Sequence, residues 1–353
     1  MRILLGMSGG LDSTYAALKL IEEGHTVEGA VIVMHRHTEI DAARAAADSL
    51  GIPLHVIEAE ERFDRCVVDY FVSEYRSGRT PNPCVVCNSD VKFRVLCDYA
   101  DEHGFDMIAT GHYAKIIRVD SSGKARYAVS SARDTKKDQT YMLWRLPQDI
   151  LSRLCLPLCN VEKSEARENT REAGISAADR EESQEICFIP SGDYAEFIEE
   201  RTAPAEHGSF IDTDGNILGE HRGIIRYTIG QRKGLGIAMG QRVFVTDIDP
   251  LANTVTLSAA DSYSDSVKVS GMVFSAIEEP SESSELELFV KLRYLAPRIP
   301  CLLKYNGNGN ASAILEVAQR AVTPGQSAVF YDADGTLVAG GFIESSALKK
   351  PKI

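Results

Sequence analysis

Ser8-Gly9-Gly10-Leu11-Asp12-Ser13 lies directly behind an apolar run, Ile3-Leu4-Leu5, and opens onto a helix-like run over residues 14–23. No other feature constrains the fold as much, because a strand that turns this tightly into a helix presents an anion site at its tip. Paired glycines let the backbone approach a phosphate closely. The hydroxyls of Ser8, Ser13 and Thr14 then join the first free N–H groups of the helix as donors. Asp12 offers the carboxylate oxygen that a hard cation such as Mg²⁺ requires when it bridges phosphates. The G-x-x-x-x-G-K-[ST] pattern of the usual P-loop is not in the chain.

Strand-like and helix-like segments alternate from here to about residue 200. Residues 27–33 and 54–57 read as buried strands, with a helix over 41–50 between them that Gly51 stops. A helical stretch over 60–76 leads to a turn at 78–83. Asn88 then caps a helix running to His103, and Met107-Ile108-Ala109-Thr110 forms a further strand. This alternation predicts a parallel α/β sheet whose ligand site lies beyond the carboxyl ends of the strands. After residue 201 the texture changes to short β-rich runs separated by Gly, Asn, Asp and Pro turns, which predicts small antiparallel barrels. The boundaries fall near 203 and 264, giving segments 1–203, 204–263 and 264–353.

A chain of 353 residues accommodates this division. No apolar run approaches the roughly 18 residues of a membrane span. Eight cysteines in this length are no disulfide framework, so a cytoplasmic protein with free thiols is expected. The net charge of −13 argues against a nucleic-acid partner when taken as a sum. Distribution matters more than the sum: residues 221–246 carry Arg222, Arg226, Arg232, Lys233 and Arg242 and no acidic residue, which taken alone reads as a solvated face on an acidic protein.

Three cysteines narrow the chemistry. Cys84 and Cys87 stand three positions apart in Pro81-Asn82-Pro83-Cys84-Val85-Val86-Cys87-Asn88. With the helix beginning at Asn88, its dipole would favour a Cys87 thiolate. Cys187 lies far away in Ile186-Cys187-Phe188-Ile189-Pro190. A zinc site would need a fourth ligand, and a thioredoxin-like pair would need no nucleotide loop. Sulfur chemistry is the better match to Cys84, Cys87 and Cys187, while Cys66, Cys97, Cys155, Cys159 and Cys301 read as inert packing thiols.

With these strings assembled, the chain resembles the tRNA-specific 2-thiouridylases, members of the PP-loop ATP pyrophosphatase superfamily that thiolate the wobble uridine of tRNA. The resemblance rests on the PP-loop at 6–13, Arg79-Thr80-Pro81-Asn82-Pro83 with Cys87-Asn88, Ala109-Thr110-Gly111-His112-Tyr113 and Lys137-Asp138-Gln139-Thr140-Tyr141. It continues through 184–190, 227–236 and Thr323-Pro324-Gly325-Gln326.

It implies an adenine-nucleotide-hydrolase-like α/β domain, a small middle domain and a C-terminal β-barrel that help grip tRNA. It also implies ATP at Gly6, Met7, Ser8, Gly9, Gly10, Leu11, Asp12, Ser13, Met34 and Gly111. The flipped target base would lie at Asn82, Pro83 and Cys84, and tRNA contacts at His112, Lys136, Lys137, Asp138, Gln139, Arg293, Tyr294 and Gln326. Extrusion of the base is physically required, because C2 of a stacked uracil is poorly reachable by a nucleophile. In the scheme so implied, O2 is adenylated by ATP, with Mg²⁺ on Asp12. Sulfur borne by Cys187 as a persulfide then displaces AMP, with Cys87 as its partner nucleophile. A sulfur-relay protein or cysteine desulfurase would be the donor.

Many members carry Asp where this chain has Cys84. Its presence opens another expectation, that Cys84, Cys87 and Cys187 bind three irons of a 4Fe–4S cluster whose fourth iron holds sulfide. Two further readings are a PP-loop ligase without sulfur chemistry, which would need no reactive cysteines, and a non-catalytic RNA-binding or sulfur-carrier module.

Overall fold

The structure, a computed structural model, describes residues 1–121, 123–179 and 186–348. Gln184 and Glu185 of the 184–190 string lie outside the described residues.

Strand β1 (Arg2–Gly6) has Ile3, Leu4 and Leu5 fully buried, as an apolar run does when both faces of its sheet are covered. Helix α1 (Leu11–Glu22), β2 (Thr26–Val33), α2 (Ile40–Leu50) and β3 (Leu54–Glu58) follow, and Gly51 closes α2 in the left-handed conformation. A continuous helix over 60–76, α3, contains a π-helical turn at Asp64–Val68. A second, α4, runs over 83–103 with a π-helical turn at Cys87–Lys92. Next come β4 (Met107–Thr110), a hairpin of β5 (Lys115–Ser121) and β6 (Lys124–Ser130), and β7 (Leu154–Cys155). Helices α5 (Lys163–Glu172) and α6 (Tyr194–Arg201) complete this part.

The sheet is parallel, in the order β3-β2-β1-β4-β7. The chain leaves β1 in one direction to build β2 and β3, then returns to its other side for β4. The crevice between β1 and β4 is therefore the topological switch point, where such sheets bind ligands.

The second part is a four-stranded sheet of β8 (Gly208–Ile211), β9 (Ile217–His221), β10 (Phe244–Asp249) and β11 (Thr254–Ser258). The third is a closed six-stranded barrel. Its strands are β12 (Tyr263–Phe274), β13 (Glu285–Lys291), β14 (Ile299–Gly307), β15 (Asn310–Arg320), β16 (Ser327–Tyr331) and β17 (Leu337–Leu348). β12 pairs with β17 to close it. The architecture is thus the α/β domain and β-rich domains expected, with a barrel last.

One expectation is corrected. Asn88 does not cap a helix: the helix starts at Pro83, a residue suited to a first turn because it has no N–H to lose. Asn88 sits buried inside the π-helical turn, where its side-chain amide donates to the Met142 carbonyl at 3.0 Å.

Candidate active site

At the switch point the turn after β1 holds itself in shape. Ser13 Oγ donates to the Gly10 carbonyl (3.1 Å) and accepts from the Ser8 N–H (3.2 Å), while Thr14 Oγ1 donates to the same carbonyl (2.9 Å). No side chain caps α1, so its first N–H groups remain available to an anion. Two glycines are sterically required. Gly9 has φ +74°, and a Cβ there would stand 2.3 Å from the Ala42 backbone of α2. A Cβ on Gly111 would stand 2.6 Å from the Asp12 carbonyl carbon, so the end of β4 presses directly on the first turn of α1.

Asp12 is held on both oxygens. Its Oδ2 lies 2.9 Å from Lys163 Nζ, and its Oδ1 accepts from Tyr113 Oη at 3.1 Å. Lys163 Nζ also lies 5.8 Å from the Tyr113 ring centroid. Lys163 is absent from the sequence reading. Its only signal in the sequence is a basic residue beside Glu162, a place with no motif around it.

Met34 leaves the end of β2 half-buried, its N–H donating to Thr38 Oγ1 (3.2 Å) and its Sδ 3.7 Å from Cys87 Sγ. A residue expected at ATP therefore touches a cysteine expected to handle sulfur.

The cysteines occupy unlike environments. Cys87 lies inside α4 and is buried, and desolvation pushes its thiol up to about 12. This corrects the expectation of a dipole-stabilised thiolate, which required Cys87 to precede the helix. Cys84 and Cys187 are exposed, yet the protein packed around them raises both thiols. Each thiol also opposes ionisation of its neighbours, Cys84 acting on Cys187 and both acting on Cys87.

Lys92 at the end of the π-helical turn favours the anionic form of all three, and its ammonium donates to Asn88 Oδ1 at 3.1 Å. Beyond Cys187 the chain is anchored by Phe188, whose buried ring lies 5.4 Å from Phe63, 5.4 Å from Phe71 and 5.3 Å from Phe197. Of the other thiols, Cys97 and Cys301 are buried, and Cys66, Cys155 and Cys159 are half-buried.

Asn82 is buried at the start of α4, followed by Pro83 and Cys84. His112 hydrogen-bonds through Nδ1 to Thr110 Oγ1 at 2.8 Å, and desolvation pulls it down to about 3, so it is neutral. Asp138 is buried and accepts from Thr140 Oγ1 at 2.5 Å, and Gln139 Oε1 accepts from the Tyr113 N–H at 2.8 Å. The Arg293 guanidinium donates to Thr323 Oγ1 at 2.9 Å and to the Ala321 carbonyl. The Gln326 amide donates to the Thr80 and Pro81 carbonyls. Lys136 is exposed, Lys137 is half-buried, and Tyr294 lies 6.1 Å from Tyr141 between ring centroids. The middle domain adds a basic loop around an opening of about 580 Å³, lined by Arg232, Gly234, Gln241 and Arg242 among others.

These features define a nucleotide-binding α/β domain that carries a thiol site and is followed by two β-domains. Family models match in the same order: a tRNA methyl transferase HUP domain over residues 1–191, a tRNA methyl transferase PRC-barrel domain over 195–259, and an aminomethyltransferase β-barrel domain over 264–343. Curated tRNA-specific 2-thiouridylases (MnmA) are similar along their whole length. The protein of Acetivibrio thermocellus is 41% identical over 97% of this chain and 99% of its own. That of Carboxydothermus hydrogenoformans is 41% identical over 97% of each, and that of Clostridioides difficile 39% over 98% of each. The chain belongs to the tRNA-specific 2-thiouridylase family.

Proposed function

We propose that the chain is a tRNA-uridine 2-sulfurtransferase that adenylates O2 of the wobble uridine and replaces it with sulfur carried by Cys187. The carrying observation is the 3.7 Å contact between Met34 and Cys87, which joins the nucleotide end of the site to its sulfur end.

ATP lies at Gly6, Met7, Ser8, Gly9, Gly10, Leu11, Asp12 and Ser13, with Met34 and Gly111 beside it. The uncapped first turn of α1 and the Ser8 hydroxyl bind the pyrophosphate end, while the Ser13 hydroxyl braces the turn through the Gly10 carbonyl. Attack of O2 on the α-phosphate forms the O–P bond and releases pyrophosphate. Asp12 is the residue that would hold Mg²⁺, which when bound offsets phosphate charge. Lys163, 2.9 Å from the same carboxylate, orients Asp12 and brings a second positive charge toward the leaving group.

The target uracil lies against Asn82, Pro83 and Cys84, with His112, Lys136, Lys137, Asp138, Gln139, Arg293 and Tyr294 forming the surround that receives the tRNA, while the Gln326 amide is turned to the Thr80 and Pro81 carbonyls. The terminal sulfur of a Cys187 persulfide attacks C2 and AMP leaves. Cys87, with the Lys92 charge aiding ionisation, then attacks the Cys187 sulfur. The S–S bond to the uridine breaks, 2-thiouridine departs, and a Cys87–Cys187 disulfide remains for a dithiol reductant to open. A relay protein or cysteine desulfurase reloads Cys187.

A 4Fe–4S cluster would need Cys84, Cys87 and Cys187 to converge on one centre. Among the described residues no three or more His, Cys, Asp or Glu side chains are so arranged. No described helix is long and apolar enough to cross a membrane.

The test is product analysis with Cys187→Ser and Cys87→Ser. Both variants should still release pyrophosphate when tRNA is present while forming no 2-thiouridine in a multiple-turnover assay. Full thiolation by both would show that neither cysteine carries the sulfur, and pyrophosphate release independent of tRNA would remove tRNA as the substrate.

A further inference from the structure

Gln326 lies on the barrel, yet its side chain is committed to the catalytic domain. Both N–H groups of its amide are spent there, on the Thr80 carbonyl (3.1 Å) and the Pro81 carbonyl (3.1 Å). These are the two residues immediately before Asn82.

The same junction is fastened on either side. The Thr80 N–H donates to the Pro324 carbonyl (2.9 Å), and Thr80 Oγ1 lies 3.3 Å from Thr228 Oγ1 of the middle domain. Arg79 pairs with Glu74 of α3 (2.9 Å) and with Glu344 of β17 (2.7 Å). Gly325 has φ +88°, and a Cβ there would stand 2.8 Å from the Thr80 carbonyl oxygen, so the barrel loop lies in backbone contact with the segment. Arg293 holds the near end of that loop through Thr323.

We propose that Gln326 is a positioning residue. Through Thr80 and Pro81 it sets where Asn82, Pro83 and Cys84 present themselves to the target base, and it makes the barrel part of the active-site geometry as well as an RNA surface. Asn82-Pro83-Cys84 begins α4, so a shift at Pro81 also moves Cys87, one turn further on. The inference rests on the sulfurtransferase reading above.

The test separates positioning from RNA contact. Gln326→Glu keeps the side chain's size but turns a carboxylate toward two carbonyls, and Gln326→Met removes the donors without adding charge. Each is assayed for tRNA affinity, for single-turnover 2-thiouridine formation at saturating tRNA, and for iodoacetamide modification of Cys84 relative to Cys187 in free enzyme, read by peptide mass spectrometry. Unreactive Cys97 and Cys301 mark a folded variant, and if Gln326→Glu unfolds the Gln326→Met protein decides.

Positioning predicts tRNA affinity within about threefold of wild type, a single-turnover rate down roughly 100-fold, and an altered Cys84 modification rate without tRNA. An affinity loss that saturating tRNA overcomes, or an unchanged Cys84 modification rate, overturns it. Wild-type enzyme that forms no 2-thiouridine refutes the sulfurtransferase reading instead, and the tRNA-free modification rate still decides whether the clamp exists.

Discussion

At the scale of single residues the account turns on charge and exposure. Asp12 joins an anion-binding turn to Lys163, so Asp12→Asn should lower tRNA-dependent pyrophosphate release by about 10²- to 10³-fold while leaving tRNA binding intact. A release assay beside a filter-binding assay checks both halves.

The thiols make a pH-dependent prediction. Burial raises Cys87 to about 12, so its thiolate is scarce at neutral pH and increases as pH rises. In free enzyme at pH 8, iodoacetamide should modify Cys84 and Cys187 ahead of Cys87, and Cys87 modification should climb about tenfold per pH unit below its pKa. Timed alkylation with peptide mapping measures this.

These residues were unevenly legible in the sequence. Ser8–Ser13 and the cysteine segment are local strings in which neighbours supply the chemistry together. Lys163 and Lys92 are single basic residues whose partners, Asp12 and the distant Cys187, are set by the fold. The Cys87 thiolate expectation fails for a specific reason: a helix beginning at Asn88 would leave Cys87 ahead of its first turn, whereas the helix begins at Pro83.

At the scale of elements, the decisive contact is β4 against α1. A Cβ on Gly111 would stand 2.6 Å from the Asp12 backbone, so Gly111→Ala must push the first turn of α1 away from the crevice. Such overpacking costs about 1–3 kcal/mol. If that cost falls on the ligand-bound turn, ATP affinity falls roughly tenfold to a hundredfold, which calorimetric titration with ATP would show. The π-helical turn Cys87–Lys92 is a second element-level device. Its extra residue per turn places Lys92 below Cys87 and leaves Asn88 facing Met142. The inserted residue slips the apolar pattern by one position, but the four-residue stretch Pro83–Val86 before it is too short for the slip to show. The parallel strands were legible as buried apolar runs. The β5–β6 hairpin was not, because it is a two-stranded ribbon largely open to solvent and its alternation is weak.

At the scale of the whole molecule, an acidic protein must bind a polyanion. The net charge of −13 repels tRNA overall, so association depends on local positive surface, and Arg232, Lys233 and Arg242 form one exposed basic group. The affinity should fall as salt rises, and Arg232→Ala combined with Lys233→Ala should flatten the plot of log K against log [salt] by about one to two units of slope. Filter binding at several salt concentrations measures that slope, and an unchanged slope would place the RNA elsewhere.

The barrel's presence was legible in turn-separated β runs. Its closure through β12 and β17, and its grip on the catalytic domain, were not, since both depend on contacts between residues far apart in sequence. Trp144 shows why they matter: its indole N–H donates to Ser327 Oγ at 2.9 Å, and its ring fills the space that a side chain on Gly340 would take. The catalytic domain is thus packed against a barrel that begins about 180 residues after Cys84. The most direct measurement is nucleoside mass spectrometry of wobble-uridine tRNA incubated with the enzyme, ATP, Mg²⁺ and a persulfide donor, with AMP counted in the same samples. The account predicts one 2-thiouridine at the wobble position for each AMP formed, and none without ATP. AMP formed while the wobble uridine stays unmodified in the presence of donor would contradict it.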